Sequence, residues 1–160
     1  MGAEAPELRR AGPEDVEAIR DLTRRAYAPL VEMVGREPLP MVADYEVAVR
    51  EHLIDLLHEG EALCALIEMV VEPECLLIEN VAVSPEHQGK GLGSSLVRHA
   101  EAQALALGML KVRLYTNQAF ASNVALYQRL GYEVDSTEPF MGGWTVYMSK
   151  SLGDEAPCPR

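Results

Sequence analysis

The chain contains 160 residues, of which 48% are hydrophobic, and it carries 14 basic and 25 acidic side chains for a net charge of −11. This length suits one domain whose core needs no disulfides, and this composition excludes an intrinsically disordered chain. Because so negative a surface repels phosphate backbones, we expect no nucleic-acid partner, and the charge instead favours cationic substrates.

The cysteines and histidines lack the spacings that are typical of disulfide frameworks and metal sites. Cys64, Cys75 and Cys158 form no CxxC pair, and the four histidines form no HxH or HxxxH pair. The sequence therefore predicts no bound metal. No apolar run approaches the roughly 18 residues of a membrane span, and the N-terminus has no hydrophobic signal segment, so we expect a cytoplasmic protein without a membrane partner.

The N-terminal part of the chain predicts a strand followed by a helix. Residues 7–12 can form the strand, and Pro13 is well suited to open the helix. Glycine and proline residues within 35–40 end the helical pattern and predict a loop. The apolar residues of the helix recur at steps of three and four, as on one buried face, and they are Val16, Ile19, Leu22, Ala26 and Leu30.

A short helix and a hairpin are expected next. The helix covers about 43–51, and two β-like runs follow at 53–58 and 61–70. Glu59-Gly60 lies between these runs and predicts a tight turn.

Residues 75–83 predict a central strand. Alternate side chains of a strand face opposite sides, and here both sides are mostly apolar, which is typical of a strand buried on both faces. A carboxylate at Glu79 is costly on such a face unless it is partnered or functional. One face carries Leu77, Glu79, Val81 and Val83, and the other carries Leu76, Ile78, Asn80 and Ala82.

The second half of the chain predicts two helices with a strand between them. Residues 92–107 carry a helical apolar stripe, Gly108 suits the C-terminal cap, and 111–116 can form a strand. Ser122 can cap the second helix, which Gly131 ends.

Two final strands are expected at about 132–137 and 144–150. No internal repeat or linker divides the chain. We therefore expect a single domain over residues 1–152, with residues 153–160 as a flexible tail.

The glycine-rich run from Gln88 to Gly93 is the strongest local signal for binding. Its glycines allow positive φ, and the helix that follows presents unpaired N–H groups and the positive end of its dipole, a combination suited to a pyrophosphate. A P-loop is excluded because Gly89-Lys90 is not followed by Ser or Thr, and a dinucleotide fingerprint would need Gly where Ser94 stands. The loop alone leaves open a glycine turn that merely joins strand to helix.

Two segments resemble the motifs of the GNAT superfamily of acetyl-CoA-dependent N-acetyltransferases. Val81–Gly93 is similar to the family's central strand, turn and [Arg/Gln]-x-x-Gly-x-[Gly/Ala] loop, with Gln88, Gly91 and Gly93 at the fixed positions. Residues 123–132 are similar to the later helix, N-x-x-A-x-x-x-Y-x-x-x-G-[Phe/Tyr], although here the Ala lies two places before Tyr127. The resemblance covers nearly the whole chain.

The resemblance implies a fold and a co-substrate. The fold is a mixed α/β one, with a V-shaped central sheet of about six to seven strands flanked by about four helices, and the co-substrate is acetyl-CoA. Val81 and Val83 would offer backbone groups to the pantetheine arm, and Asn123 would be a polar contact on the cofactor side. The pyrophosphate would bind the backbone amides of Gln88, Gly89, Lys90, Gly91, Leu92, Gly93 and Ser94.

The resemblance also implies a reaction, the transfer of acetyl to a primary amine by direct attack on the thioester. Tyr127 is the expected general acid for the departing thiolate, the alternative being a core tyrosine. Glu79 is the candidate base, the alternatives being a solvated carboxylate and one paired with Arg113. The expected oxyanion donor is a backbone N–H near Val81. A non-catalytic acyl-CoA sensor or interaction module on the same fold is the rival function.

The acceptor is less constrained by the sequence. The segments 31–42 and 138–144 would line it in this fold, and both are apolar, which predicts a partly hydrophobic acceptor site. The net charge favours a small cationic amine or a peptide amine, and a metabolite, an antibiotic-like amine and a protein N-terminus all stay open. Homodimers are common in the family, so a second copy is one partner to consider.

Overall fold

A computed structural model describes residues 7–153 of the chain, which fall into two compact units. The first unit comprises the chain through Met69 together with Asn80–Leu96, and the second comprises Val70–Glu79 together with the chain from Val97 onward. The predicted tail, apart from Gly153, lies outside the described residues.

Seven strands form one mixed sheet in the order β1-β2-β3-β4-β5-β7-β6. β4 and β5 run parallel, whereas β1 with β2, β2 with β3, β5 with β7 and β6 with β7 run antiparallel. The expected mixed α/β fold is confirmed. The strands are β1 (Glu7–Arg10), β2 (Leu53–Glu59), β3 (Ala62–Val71), β4 (Leu76–Val83), β5 (Lys111–Asn117), β6 (Glu133–Phe140) and β7 (Gly143–Ser151).

Five α-helical segments accompany the sheet. The second is a single turn, and none that the structure describes between residues 7 and 153 is long and apolar enough to cross a membrane. The helices are α1 (Val16–Tyr27), α2 (Val31–Val34), α3 (Tyr45–Glu51), α4 (Leu92–Ala106) and α5 (Ala121–Arg129).

The core of the first unit forms where α1 presents its apolar stripe. Val16, Ile19 and Leu22 are buried in one cluster with side chains of β2 and β3, including Leu56 and Leu66. Each such side chain contributes about 1.5–3 kcal/mol when it is fully buried. The predicted stripe is therefore confirmed through its first three members.

The start of α1 depends on the buried carboxylate of Asp15. Its Oδ2 accepts a hydrogen bond from the Gly12 N–H at 2.8 Å, and its Oδ1 lies 2.7 Å from the Arg9 guanidinium. These contacts satisfy a backbone donor ahead of the helix and place a negative charge at the positive end of its dipole. The Arg9 guanidinium holds the pKa of Asp15 below its ordinary value, and the Gly12 hydrogen bond acts in the same direction.

Asp15→Asn is expected to lower the free energy of unfolding by about 1 kcal/mol at pH 7, since Arg9 is half-exposed and solvent screens the pair. Because the folded-state pKa is depressed, the carboxylate stabilises the fold above its unfolded pKa of about 3.9, and this contribution disappears as the pH falls through the folded value. Denaturant unfolding at pH 7 and at a pH below the depressed folded-state pKa of Asp15 measures the difference. Asp21→Asn, at an exposed i,i+4 pair with Arg25, is the control. A loss of equal size at both pH values would contradict the assignment.

β4 departs from the expectation that both of its faces are buried. Its even-numbered residues are buried, but Leu77, Glu79, Val81 and Val83 are only half-buried. An apolar sequence shows which side chains tolerate burial, and it does not show whether protein atoms cover them. The two-sided burial that we predicted is therefore wrong for the face that carries Glu79.

The predicted cap of the last helix is also wrong. α5 begins at Ala121, one residue before Ser122, and Phe120 occupies the N-cap position. Asn117 forms the preceding turn, with its Oδ1 accepting a hydrogen bond from the Ala119 N–H at 2.8 Å. A side chain that bonds backbone two residues ahead is typical of Asn, and this turn fixes where the helix starts.

β6 is longer than expected and includes Pro139, which lies opposite Trp144 of β7. β6 stands at the end of the strand order, where one side of the strand makes no ladder hydrogen bonds. A proline is tolerated there because its missing N–H deprives no neighbour.

Candidate active site

The glycine loop of the first unit leaves the end of β4 and enters α4. Ser84 and a single 3-10 turn (Pro85–His87) precede it. Gly89 and Gly91 have φ values of +81° and +83°, a conformation that residues with a Cβ rarely adopt. An added Cβ would meet no atom within 4 Å at either position, so the backbone conformation, and not crowding, requires glycine.

The start of α4 offers free backbone donors to an anion. The Ser95 N–H donates to the Gly91 carbonyl at 3.0 Å, which is the first bond of the helix. The N–H groups of Leu92, Gly93 and Ser94 come before that bond and have no acceptor within the helix. Lys90 is exposed in the same loop and adds a positive charge. The segment thus has the features of an anion site.

Gln88 anchors the loop to the end of β4. Its Nε2 donates to the Val83 carbonyl at 3.1 Å. The resemblance assigns backbone groups of Val83 to the pantetheine arm, and its carbonyl, which has two lone pairs, already has this one partner. Val81 and Val83 are both half-buried.

His87, immediately before the loop, joins a cluster that the sequence did not reveal. Its Nδ1 lies 2.6 Å from the Ser84 Oγ, and its Nε2 lies 3.3 Å from the Cys64 Sγ and 3.4 Å from the Glu59 Oε1. Burial, and after it the Glu59 charge, raises the pKa of the Cys64 thiol. We had assigned no chemistry to the histidines and cysteines because these partners lie far apart in sequence.

Asn80 supports the half of β4 that belongs to the first unit. It is buried, and its Oδ1 accepts a hydrogen bond from the Tyr27 hydroxyl at 2.8 Å. Its Nδ2 is 3.5 Å from the Tyr45 hydroxyl, which donates to the Pro40 carbonyl at 2.6 Å. This network connects β4 with the end of α1 and the start of α3. The sequence signal for it was a single Asn among apolar side chains.

Glu79, in the second unit, has a tyrosine as its partner. The Tyr115 hydroxyl of β5 donates to the Glu79 Oε2 at 2.7 Å. Arg113, the partner that we had considered, lies opposite Leu77, and its Nη1 is 3.6 Å from a carboxylate oxygen of Glu72. Glu79 is thus a half-buried, hydrogen-bonded carboxylate.

The two tyrosines at the end of α5 have different environments. Tyr132 is buried, and its hydroxyl donates to Glu101 at 2.9 Å, which also pairs with Lys150 at 3.2 Å. Tyr127 is half-buried, and loss of solvent raises its pKa to about 12. Tyr132 is therefore the more buried of these two tyrosines, and the raised pKa of Tyr127 keeps its hydroxyl protonated throughout the range of an enzyme assay. Asn123 is half-buried in the first turn of α5.

The segments expected to bind the acceptor expose apolar side chains, as their composition predicts. The exposed apolar side chains are Met33, Leu39 and Val42 in the first unit and Phe140, Met141 and Trp144 in the second.

The tip of the β6–β7 hairpin holds Met141 at a φ of +50°, which is rare for a residue with a Cβ.

Comparison with known proteins identifies the family. The sequence model of the acetyltransferase (GNAT) family matches residues 16–132, well over half of the chain. The chain belongs to the GNAT family. Its Gln88–Gly93 loop and the helix that carries Tyr127 both lie within the matched residues.

Relatives within the GNAT family carry named activities. The [ribosomal protein bS18]-alanine N-acetyltransferase of Escherichia coli K12 is 32% identical over 77 residues, which are 48% of this chain and 51% of the relative. The chain thus spans about half the length of the curated relatives that it matches.

Solved GNAT structures share the fold. The ribosomal-protein-S18-alanine N-acetyltransferase from Escherichia coli superposes with a TM-score of 0.76 at 19% identity, covering 92% of this chain and 94% of that one. The PaiA N-acetyltransferase from Thermoplasma acidophilum, in complex with coenzyme A, superposes with a TM-score of 0.74 at 19% identity, covering 93% of this chain and 100% of that one.

Proposed function

We propose that this protein is an N-acetyltransferase that transfers the acetyl group of acetyl-CoA to a primary amine. The observation that carries the proposal is the exposed loop in which left-handed Gly89 and Gly91 lead into the open N-terminus of α4, in a chain of the GNAT family. A similar fold solved with coenzyme A supports the choice of co-substrate.

The loop residues fit the charged part of coenzyme A. The N–H groups that precede the first bond of α4 donate to the pyrophosphate, and the Lys90 ammonium adds a screened attraction. Val81 and Val83 align the pantetheine arm through their backbone groups, and Asn123 provides a polar contact from α5. Gln88 keeps the loop against the end of β4 through the Val83 carbonyl.

The proposed reaction removes two protons from the acceptor nitrogen and replaces the C–S bond of the thioester with the C–N bond of an amide. Glu79 takes a proton from the ammonium form of the acceptor, directly or through a water, because only the free amine has a lone pair. The amine nitrogen then attacks the thioester carbonyl, and a backbone N–H near Val81 donates to the oxyanion. The C–S bond breaks as the amide forms, and the sulfur receives its proton from the Tyr127 hydroxyl. The second proton that the nitrogen loses returns to the Tyr127 oxygen, directly or through a water, and Glu79 releases its own proton to solvent.

The raised pKa of Tyr127 limits how it acts as an acid. A phenol with a pKa of about 12 is a weaker acid than a simple thiol, whose pKa is about 8.5. Complete transfer of the proton from Tyr127 to the departing sulfur is therefore uphill even after the C–S bond has broken. Tyr127 therefore stabilises the developing thiolate as a hydrogen-bond donor, and its proton passes to the sulfur only as the second amine proton reaches the tyrosine oxygen.

The acceptor class that we propose to test first is the N-terminal amine of a basic peptide. The net charge of −11 attracts cations, and a relative is named for the alanine of a ribosomal protein. The exposed apolar side chains of segment 31–42, and separately those of segment 138–144, suit contact with an extended acceptor.

Turnover with an amine panel tests the proposed function. The test substrate is a basic, lysine-free peptide with an N-terminal alanine. With its N-terminus free, we expect the enzyme to release coenzyme A in a 1:1 ratio with acetylated peptide, and with its N-terminus blocked we expect no release. Thiol release and peptide mass are the measurements, and small polyamines complete the panel. Binding of acetyl-CoA without turnover of any primary amine would overturn the enzyme proposal in favour of an acyl-CoA-binding module.

Tyr127→Phe is expected to lower kcat by roughly 10²- to 10⁴-fold with unchanged affinity for acetyl-CoA, because it removes only the donor to the thiolate. The matched control is Tyr132→Phe, which removes the hydrogen bond to Glu101. The control should reduce the free energy of unfolding by about 1 kcal/mol and leave kcat nearly unchanged. Equal effects of the two substitutions on kcat would remove Tyr127 from the mechanism.

Glu79→Gln is expected to lower kcat/KM and to abolish the acidic limb of its pH profile, because the amide cannot accept the proton of the acceptor. Tyr115→Phe keeps the carboxylate and loses only its hydrogen bond, so its profile should retain that limb. Rates between pH 5 and 9 at saturating acetyl-CoA provide the test. An unaltered profile in Glu79→Gln would mean that another group takes the proton.

A further inference from the structure

Three side chains with metal-binding atoms meet beside the glycine loop. Glu59 ends β2, Cys64 lies near the start of β3, and His87 lies in the turn after β4, so two strands of a hairpin and one loop contribute. A Glu59 carboxylate oxygen, the Cys64 sulfur and a His87 ring nitrogen all lie within 4.8 Å of one another. All three residues belong to the first unit.

The spacing of these atoms suits one small tetrahedral ion. Bond lengths of about 2.0–2.3 Å to zinc place neighbouring ligand atoms about 3.3–3.7 Å apart. The His87 Nε2 lies 3.3 Å from the Cys64 Sγ and 3.4 Å from the Glu59 Oε1. Glu59 is the most exposed of the three, so its carboxylate can adjust to the third distance.

The orientation of His87 is already fixed for ligation. The Ser84 Oγ lies 2.6 Å from Nδ1, which leaves Nε2 as the nitrogen that faces Cys64 and Glu59. Ser84 is buried, and its N–H donates to the Cys64 carbonyl at 2.8 Å. Ligating histidines typically bond their other ring nitrogen to a fixed polar group in this way.

We propose that Glu59, Cys64 and His87 form a binding site for a thiophilic divalent transition ion of the Zn²⁺ class, with a fourth position left for water or an exogenous ligand. The inference departs from our sequence-based expectation of no metal, and it does not depend on the proposed acetyl transfer. A thiolate, an imidazole and one carboxylate favour Zn²⁺, Co²⁺ or similar ions, whereas Mg²⁺ and Ca²⁺ prefer oxygen ligands alone.

Binding changes protonation in a defined way. The Cys64 thiol loses its proton to solvent as the metal–sulfur bond forms, while His87 binds as the neutral imidazole and Glu59 as the carboxylate. Neither oxidation nor reduction takes place. One proton is therefore released from Cys64 for each ion bound.

An ion at this position joins the β2–β3 hairpin to the turn that precedes Gln88. Because the ligands come from three separate segments, the ion favours the folded chain over the unfolded one and raises the melting temperature with its concentration. Thermal unfolding therefore detects this stabilisation without an activity assay.

Cobalt titration of the full chain tests the site. The parent protein carries Cys158→Ser, so that Cys64 and Cys75 are its only cysteines. After treatment with a chelator and a non-thiol reductant, Co²⁺ should bind at one ion per chain and produce a thiolate-to-cobalt charge-transfer band, which Zn²⁺ should then abolish by displacement.

Matched variants identify the ligands. Cys64→Ala should lose the band, whereas Cys75→Ala, which changes a buried thiol next to Glu72, should keep it. His87→Gln and Glu59→Gln should each weaken binding about tenfold or more and reduce the Zn²⁺-dependent rise in melting temperature.

A parent protein without the band, a band that survives in Cys64→Ala, or one that disappears in Cys75→Ala would overturn the proposal. If Cys64→Ala does not fold, His87→Gln and Glu59→Gln decide the outcome, because neither residue is buried. Unchanged cobalt affinity in both of these variants would then mean that the cluster is only a hydrogen-bonded network.

Discussion

The left-handed backbone at Gly89 and Gly91 is the constraint on which the proposed chemistry depends. These two residues let the chain leave the end of β4 and enter α4 with the first N–H groups of the helix free of internal acceptors. Gln88 holds the loop against the Val83 carbonyl, and His87 holds the turn before it through Ser84. The proposed binding of coenzyme A and the proposed ion site both involve this short segment.

Much of the architecture was predictable from periodicity and turn residues. The apolar stripe of α1, the β2–β3 hairpin and the existence of β4 as a strand follow from local patterns that survive folding. The errors arose where a local pattern has two outcomes. Ser122 can cap a helix, but the turn made by Asn117 starts α5 earlier, and the half-buried face of β4 shows that apolar side chains are not always covered.

The candidate site was predictable where a motif lies within a few residues, and it was not where partners come from distant segments. The glycine loop followed from local spacing, and the role expected of Tyr127 followed from the resemblance of residues 123–132 to the family motif. The partners of Glu79 and Asn80 depend on strand register and helix packing, which no short pattern encodes. The contrast between Tyr127 and Tyr132 likewise appears only once burial and the Glu101 contact are known.

The central claim is that the loop before α4 binds the diphosphate of coenzyme A, and calorimetric titration tests it most directly. We expect coenzyme A to bind at one molecule per chain, and pantetheine, which has no diphosphate, to bind at least about tenfold more weakly because the charge-assisted hydrogen bonds are lost. No heat from coenzyme A, or equal affinity for pantetheine, would contradict the account.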